Sequence, residues 1–249
     1  MPDKRKHRGR NPEDSDLFSD NHLAALGRAV RDFSWLLSRG YADRSSLKLV
    51  GDRYALTARQ RTAVMRSTCS ADSLERRRGI MVRPADVGEV GVGVDGYNLL
   101  ITVESGLGGG IVLIGQDGAY RDLASIHGTY RKVEETLPAL RLIVDHLAGL
   151  PVPRIDWYLD RPVSNSGRLK ALLVELLESK LKPSGPVWNI ELVDSPDAVL
   201  RAYDGVVVTS DSAILDNCRA WMNLSAEVIE RDIPSAWKVE LGVESGEAT

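Results

Sequence analysis

The sequence predicts an α/β protein in which a mainly parallel β-sheet with flanking helices follows a small all-α N-terminal domain. Apolar residues make up 43% of the 249 residues, which is enough for a buried core. Apolar positions recur at helical spacing through the first 70 residues. From residue 90 onward, short Val- and Leu-rich runs alternate with amphipathic stretches of ten or more residues, which is typical of βαβ units and a parallel sheet.

The N-terminal domain is predicted at residues 16–70 and contains three helices. The first starts at Ser19 or Asp20, either of which can cap it, and it ends before Gly40. The other two are expected near residues 44–50 and 58–66. Residues 1–15 are rich in charge and are predicted to form a disordered basic tail. Residues 71–87 are predicted to be a charged connector.

The α/β domain is predicted at residues 88–235, and a C-terminal tail follows at 236–249. Strands are expected at residues 90–94, 110–114, 154–159, 187–193 and 205–208, and helices at 134–150, 165–182, 197–202 and from 212. An apolar run at 99–103 leads into a glycine-rich segment, 105–110, that is expected to be flexible. In open parallel sheets the functional site lies beyond the carboxyl ends of the strands, so the residues there are the candidates for chemistry.

The charge is distributed unevenly along the chain. Residues 1–90 carry 18 Lys and Arg against 12 Asp and Glu, whereas residues 91–249 carry 14 against 23. A basic part that contacts a polyanion and an acidic part that holds divalent cations would give this pattern. The basic N-terminus is not followed by an apolar stretch, and no run of about 18 apolar residues occurs. We therefore expect a cytoplasmic protein that does not interact with membranes.

Three predicted strands end in aspartate: Asp95, Asp160 and Asp211 each follow a run rich in Val or Leu. Carboxylates that meet at one edge of a sheet repel each other unless a cation joins them. Hard oxygen ligands of this kind suit Mg²⁺ or Mn²⁺, ions that promote phosphoryl chemistry. Asp216 is a further candidate ligand, although it also fits a solvated helix position. The alternative for each strand-end aspartate is a turn former or a helix cap.

Residues 94–100 (Val-Asp-Gly-Tyr-Asn-Leu-Leu) resemble the first strand and turn of NYN-type nucleases, which belong to the PIN-like superfamily. Residues 207–211 (Val-Val-Thr-Ser-Asp) are similar to the later strand that presents another metal-binding acid in that superfamily. The resemblance covers about residues 88–225 and implies a PIN-like fold and a metal-dependent nuclease that acts on RNA. It implies that Asp95 and Asp211 bind the metal ion, with Asp160 as the intervening acid. Asn98 would orient the turn or a metal-bound water.

The whole chain also resembles an uncharacterised prokaryotic family that joins a helical N-terminal domain of unknown function to such a C-terminal domain. The segments that carry this resemblance are residues 49–54 (Leu-Val-Gly-Asp-Arg-Tyr), 59–61 (Arg-Gln-Arg) and 160–167 (Asp-Arg-Pro-Val-Ser-Asn-Ser-Gly). This resemblance supports the order of the two domains and brings no established activity with it.

Several residues are candidate contacts for the phosphates of a nucleic acid. Arg59 and Arg66 are seven residues apart and share one face of a regular helix, where they would bind RNA, face solvent or pair with acids of the second domain. The other candidates lie close to the predicted acids along the chain: Arg161, Ser164, Asn165, Arg168 and Ser210. The segment from Ser164 opens a helix whose free N–H groups would receive a phosphate, and an ordinary N-cap is the alternative.

Two other functions stay open on the sequence alone. The usual NYN pattern places a further acid on the helix after the first strand, and here only Glu104 or Asp122 is available for that role. With an incomplete acidic set, the chain would be a non-catalytic RNA-binding or regulatory protein on the same fold. A phosphatase or nucleotide-processing enzyme would use the same acids on free nucleotides.

Overall fold

The computed structural model describes residues 7–124, 130–180 and 185–242. Five helices at residues 14–79 form what we call the N-terminal helical unit. Helices α1 to α5 span Asp14–Leu17, Asp20–Leu37, Asp43–Arg53, Ala58–Ser67 and Ala71–Gly79. Three of them, α2 to α4, confirm the helices that the apolar spacing predicts. Thr57 and Gln60 form a capping box that fixes the start of α4.

The segment that the sequence predicts as a charged connector contains helix α5. Ser70 caps this helix by accepting a hydrogen bond from the backbone N–H of Ser73 at 3.2 Å. The run of three arginines in α5 indicates a solvated segment, yet Arg77 is only 2% exposed, because its guanidinium pairs with carboxylates of the α/β part. The segment is therefore a packed element, while the domain boundaries at residues 70 and 88 stay predictions.

The rest of the chain alternates strands and helices. Strands β1 to β8 span Val92–Asp95, Ile111–Ile114, Tyr120–Asp122, Arg154–Asp160, Val187–Val193, Val206–Val208, Ala220–Met222 and Trp237–Glu240. Helices α6 to α11 span Gly96–Leu107, Thr136–Ala148, Ser166–Lys180, Pro196–Arg201, Ser212–Leu215 and Leu224–Asp232. None of the helices in the described residues is both long and apolar enough to cross a lipid bilayer.

Five strands form one parallel sheet in the order β5-β4-β1-β6-β7. The central strand β1 pairs with β4 on one side and with β6 on the other. Every residue of β1 and β6 is buried, which explains why both strands are continuous Val-rich runs without polar alternation. The helical N-terminal region and this sheet with its flanking helices confirm the predicted fold class.

The apolar run at residues 99–103 belongs to helix α6, which continues to Leu107. Ten of the 12 residues of α6 are buried, because the helix packs between the sheet and helices α7 and α11. A helix that is covered on all sides has no polar stripe, so its sequence lacks the usual amphipathic period. The expectation of a flexible segment from residue 105 is therefore wrong for residues 105–107.

A second sheet of three strands, in the order β3-β2-β8, is absent from the sequence prediction. Strand β2 pairs antiparallel with β3 and parallel with β8, which lies in the segment predicted to be a C-terminal tail. The buried side chains of Ile111, Leu113 and Val239 belong to the same hydrophobic core as Leu26 of α2. The N-terminal helical unit and the second sheet therefore share one core. Residues 243–249 lie outside the described residues.

Two charged side chains in the segment predicted as a disordered tail contact buried groups of the fold, although most of residues 7–15 are exposed. Arg8 Nε donates a hydrogen bond to Glu104 at 2.7 Å, and the Glu104 side chain has no exposed surface. Asp14 is 2% exposed and pairs with Arg59 of α4. These charged groups find buried partners far along the chain, which local composition does not reveal. Residues 1–6 lie outside the described residues.

The shared core predicts that the N-terminal helical unit and the second sheet unfold together. Leu26 is fully buried, so Leu26→Ala should lower the free energy of unfolding by about 2–5 kcal/mol. Urea unfolding followed by far-UV circular dichroism and by tryptophan fluorescence should give one coincident transition. Leu49→Ala is the matched control, because Leu49 is 62% exposed and its truncation should change stability by no more than about 0.5 kcal/mol. A separate early transition of the helices would contradict the shared core.

Candidate functional site

The strand order reverses at the centre of the parallel sheet. From β1 the chain builds β4 and β5 on one side, and it then crosses to β6 and β7 on the other side. In open parallel sheets a crevice forms at this reversal, outside the carboxyl ends of the two strands that meet there. We call the region outside the ends of β1 and β6 the crossover crevice. The residues that border it are Asp95 to Asn98 and Thr209 to Asp211.

Hydrogen bonds join the two strand ends that border the crossover crevice. The Thr209 hydroxyl donates to Asp95 Oδ2 at 2.8 Å. Ser210 donates from its backbone N–H at 2.8 Å and from its hydroxyl at 2.9 Å to the same Oδ1 of Asn98. Asn98, in the first turn of α6, is thus bonded to the segment after β6.

The same turn is fastened to β4 and to the helix that follows it. A Cβ atom on Gly96 would lie 2.2 Å from Trp157 Nε1 and 2.6 Å from the Tyr158 carbonyl oxygen, so only glycine allows this approach. The Tyr97 hydroxyl shares a hydrogen bond of 2.7 Å with the hydroxyl of Ser166, which begins α8. The Asp-Gly-Tyr-Asn sequence therefore connects the central strand to both of its neighbours.

Asp211 is the N-cap of the short helix α10. Its Oδ1 accepts hydrogen bonds from the backbone N–H groups of Ala213 at 2.8 Å and Ile214 at 3.1 Å. The cap fixes the carboxylate at the crevice beside Asp95. The helix-cap alternative from the sequence is therefore correct for Asp211, and it is compatible with a second role because a carboxylate accepts more than two hydrogen bonds.

Asp95 has the most unusual electrostatic environment of the strand-end acids. Its residue is 8% exposed. Burial is the largest cause that raises its pKa, to about 7, and the negative charges of Asp211 and Asp197 raise it further. Hydrogen bonds from Thr209 and from the backbone of Asn98 act in the opposite direction. None of the main groups that shift this pKa is a cation.

The other buried carboxylates of the described chain differ from Asp95 in having a basic partner. Each of them forms an ion pair with arginine or histidine; these residues are Asp14, Glu104, Asp117, Asp122, Glu135 and Asp156. A buried charge without a partner is costly, and proteins normally pair it or use it to hold a cation. Asp95 is thus the buried acid whose surroundings favour a positively charged ligand.

Asp160 stands at the end of β4, and the charge of Asp197 acts on it. Burial is the first cause that raises the Asp160 pKa, and the charge of Asp197 is the second. Asp197 lies in the first turn of α9 and also acts on Asp95, so it belongs with the predicted acids, although the sequence prediction omits it. The signal was available, because Asp194 to Asp197 follow a fourth parallel strand, β5.

The acids do not form a ready-made metal cluster. Within residues 7–124, 130–180 and 185–242, no three His, Cys, Asp or Glu side chains come close enough together to hold a metal ion by themselves. Magnesium is often held by one or two carboxylates together with waters and the phosphates of the substrate. Asp95 and Asp211 fit this smaller ligand set, since both border the crevice and the charge of Asp211 acts on Asp95.

Asp216 is not available as the predicted metal ligand. Arg77 donates to both of its carboxylate oxygens, at 2.7 Å from Nε and 2.8 Å from Nη2. Arg77 also pairs with Asp117 at 2.7 Å, and Asp117 accepts from Arg121. This ion network contacts the crevice, because Arg121 Nε also donates a hydrogen bond to the Ser210 carbonyl oxygen at 2.7 Å.

Arg59 and Arg66 are occupied by internal partners, which corrects their prediction as free phosphate contacts. Arg59 Nη2 donates to Asp14 Oδ2 at 2.7 Å. Arg66 Nη1 lies 3.2 Å from Asp122 Oδ1, and its side chain is 30% exposed. Pairing with acids, the alternative weighed in the sequence, describes both residues. Arg66 keeps an accessible surface, whereas Arg59 belongs to the core contact with the N-terminal segment.

The remaining predicted substrate contacts divide between two places. Ser210 is 3% exposed and serves the turn after β6. Arg161 Nη2 donates to the carbonyl of Leu192 at 2.6 Å, so it lies beside the edge strand β5. The residues at the start of α8 are Ser164, Asn165 and Arg168, all of them exposed. Their role in phosphate binding stays a prediction.

Glu104 and Asp122, the two acids available for the further acid of the NYN pattern, are both paired with arginine. Glu104 accepts hydrogen bonds from Tyr130 at 2.5 Å, Thr136 at 2.6 Å and Arg8 at 2.7 Å, so its carboxylate is fully engaged inside the fold. Asp122 is buried and pairs with Arg66. Glu104 is therefore engaged in the interior, whereas Asp122 lines the same cleft as Asn98 and Asp211 while it is paired with Arg66.

A cleft of about 830 Å³ lies between the N-terminal helical unit and the crossover crevice. Residues of the crevice that line it include Asn98, Ser210 and Asp211. From the helical unit, Tyr41 and Met65 contribute side chains to its wall. Its volume is in the range of about 300–1,000 Å³ found for small-molecule sites. We call this space the interface cleft.

The raised pKa of Asp95 predicts a pH-dependent stability in the absence of divalent cations. A folded-state pKa near 7, against about 3.9 for an unfolded aspartate, means that the folded protein binds this proton more tightly. The free energy of unfolding should therefore fall as the pH rises from about 4 to 7. Asp95→Asn removes this contribution. The free energy of unfolding of the variant minus that of the unmodified protein should therefore increase from pH 4 to pH 8, by no more than about 4 kcal/mol.

Urea unfolding in the presence of EDTA measures this difference at each pH. Asp204→Asn is the control, because the Asp204 side chain is 86% exposed and lies outside the crevice. A pH-independent difference for Asp95→Asn would show that Asp95 is ionised like an ordinary surface aspartate.

Comparison with known proteins gives the family of the chain. A family model described as "Protein of unknown function (DUF434)" matches residues 25–79, and one described as "Domain of unknown function (DUF5616)" matches residues 84–227. The uncharacterized protein MJ0935 of Methanocaldococcus jannaschii is 28% identical over 208 residues, which cover 83% of this chain and 97% of that protein. No solved structure matches the chain. The second model covers more than half of the residues, and the chain therefore belongs to the family described as Domain of unknown function (DUF5616).

Proposed function

We propose that the protein is a metal-dependent nuclease that hydrolyses RNA phosphodiester bonds at the crossover crevice, with Mg²⁺ or Mn²⁺ as its cofactor. The observation that carries the proposal is the environment of Asp95. It is a buried carboxylate beside Asp211 and Asp197, and it forms no ion pair among the described residues. A divalent cation would neutralise this charge, and the crevice lies where open parallel sheets bind their ligands.

The roles of the residues follow from their positions. Asp95 and Asp211 would hold the metal ion, and Asp160 and Asp197 would add negative charge nearby. When bound, the ion lowers the pKa of a water that can attack the phosphate, and it neutralises negative charge on the phosphate. Asn98 is bonded twice to Ser210, so it acts as a positioning residue that keeps the two strand ends together. Preorganised ligands of this kind reduce the cost of binding a hydrated cation.

The resemblance to NYN-type nucleases gives independent support. The residues that carry it, 94–100 and 207–211, meet at the crevice through the bonds of Asp95 and Asn98. The preference for RNA over DNA comes from this resemblance alone. The match to families of unknown function adds no activity to it.

A second candidate is a non-catalytic RNA-binding or regulatory protein on the same fold. Two observations favour it: the described residues contain no three-ligand metal group, and Glu104 is engaged in the interior instead of at the crevice. The two candidates make opposite predictions for cleavage and the same prediction for binding, so a cleavage assay separates them.

The nuclease proposal predicts metal-dependent cleavage that requires the crevice acids. Purified protein with labelled RNA should cut it in Mg²⁺ or Mn²⁺ and leave it intact in EDTA. Asp95→Asn and Asp211→Asn should each reduce the rate at least about a hundredfold, because each removes charge that holds the cation. Asparagine keeps the shape at both positions and still caps α10 at position 211, so folding should be preserved.

Asp204→Asn, at an exposed position outside the crevice, is the matched charge control and should cut RNA at the unmodified rate. Cleavage that persists in both crevice variants would point to a contaminating nuclease and end the proposal. Binding of RNA without cleavage in either metal would favour the non-catalytic candidate. Turnover of free nucleotides with intact RNA would indicate a phosphatase.

A further inference from the structure

The interface cleft brings an aromatic and a thioether side chain of the helical unit to the same space as the crevice residues. Tyr41 is 57% exposed and Met65 is 46% exposed, although both line the cleft. Asn98 and Asp211 line it as well. The cleft thus extends from Asp211, one of the two proposed cation ligands, to an accessible apolar surface on the helical unit.

Tyr41 is held in place by the turn that ends helix α2. Gly40 has a φ of +76°, and the backbone N–H of Tyr41 donates to the carbonyl of Leu36 at 3.2 Å. The N–H of Gly40 donates to Leu37 at 2.9 Å, which completes a Schellman motif. The backbone from which the Tyr41 side chain projects is therefore fixed, so no main-chain entropy would be lost there when a flat ligand stacks on the ring.

We infer that the interface cleft binds one unpaired nucleotide of a nucleic-acid strand, with its base against Tyr41 and Met65 and its phosphate toward Asp211 at the crevice. The inference rests on the proposed function, because the crevice supplies the phosphate end of the site. It adds the N-terminal helical unit as the part that recognises the base. Aromatic side chains stack on bases that are free of their neighbours, whereas paired bases in a duplex present only their edges.

The cleft is lined by the acids Asp43, Asp122, Asp211 and Asp216 as well as by three arginines, so a phosphate near Asp211 requires the proposed cation. Arg66, with 30% of its side chain exposed, is the most accessible guanidinium on the cleft wall and lies on α4 with Met65. Arg77 and Arg121 also line the cleft, and their buried pairs with Asp117 leave them as structural supports. The apolar end therefore receives the base, and the end near Asp211 receives the phosphate together with its cation.

Binding without turnover tests the inference. Full-length protein with both proposed cation ligands unchanged, in Ca²⁺ in place of Mg²⁺ to prevent cleavage, is titrated into fluorescein-labelled ten-nucleotide RNA, DNA of the same sequence, and the corresponding RNA duplex, and the anisotropy gives Kd. Adding Tyr41→Ala should weaken single-strand binding roughly 5- to 150-fold, the loss expected for one stacked base. Tyr41→Phe should restore most of the affinity, and Met65→Glu should weaken binding in the same way as Tyr41→Ala.

Two matched controls lie on the same helical unit, away from the cleft lining. Trp35→Ala removes an aromatic side chain of similar exposure, 53%, and Leu49→Glu places a charge at an apolar position that is 62% exposed. Both should leave Kd unchanged. Binding of either strand supports the subsite, and the tighter strand identifies the substrate. Equal effects of Tyr41→Ala and Trp35→Ala, equal affinity for the duplex, or no binding of any strand would overturn it.

The failure of this inference and the failure of the nuclease proposal give different results. If the unmodified protein cleaves RNA and Tyr41→Ala cleaves it with the same KM, the subsite is wrong and the nuclease proposal stands. If no metal supports cleavage but strand binding still depends on Tyr41, the subsite stands and hydrolysis is wrong. The thermal unfolding midpoint of each variant confirms that it is folded.

Discussion

The turn from Asp95 to Asn98 is the contact on which the candidate site depends. It ends the central strand, and its side chains bond it to the segment after β6 and to the start of α8. Gly96 makes this possible, because any Cβ there would collide with β4. The strand ends are therefore fixed relative to each other by the protein alone. Carboxylates held in this way keep their mutual repulsion, and that stored repulsion is what a cation would relieve.

Ion pairing explains much of the uneven charge distribution. Arginines of the N-terminal part pair with acids of the α/β part: Arg8 with Glu104, Arg66 with Asp122, and Arg77 with Asp117 and Asp216. Part of the positive charge before residue 90 is thus neutralised by ion pairs inside the molecule. The uneven charge distribution is therefore weaker evidence for a polyanionic partner. Asp95 and Asp211 at the crevice pair with none of these arginines. They differ in this respect from the buried carboxylates elsewhere in the described residues, each of which has a basic partner.

The sequence predicts the features that depend on local pattern. The helices α2 to α4 and four of the five parallel strands, β1, β4, β5 and β6, have clear patterns and lie where the sequence predicts them, whereas the three-residue strand β7 is not predicted. The sequence also does not predict α6, whose burial on all sides removes the amphipathic period, or β8, which is four residues long and pairs with a strand more than 120 residues away. The roles of Arg59, Arg66 and Asp216 also depend on distant partners, so residue type and helical spacing alone could not separate internal pairing from substrate binding.

These distant contacts also define what the N-terminal helical unit can do. The unit shares a core with the second sheet, and Arg77 and Arg8 bind buried carboxylates of the α/β part. Breaking one buried ion pair costs about 3–5 kcal/mol, so a motion that separates the helices from the crevice would be opposed by several such terms. A lid that opens and closes during each cycle is therefore a poor description of the unit. The helical unit is better described as a rigid side of the interface cleft. A cleft of constant width selects its ligand by shape, which is consistent with a subsite for a single unstacked base.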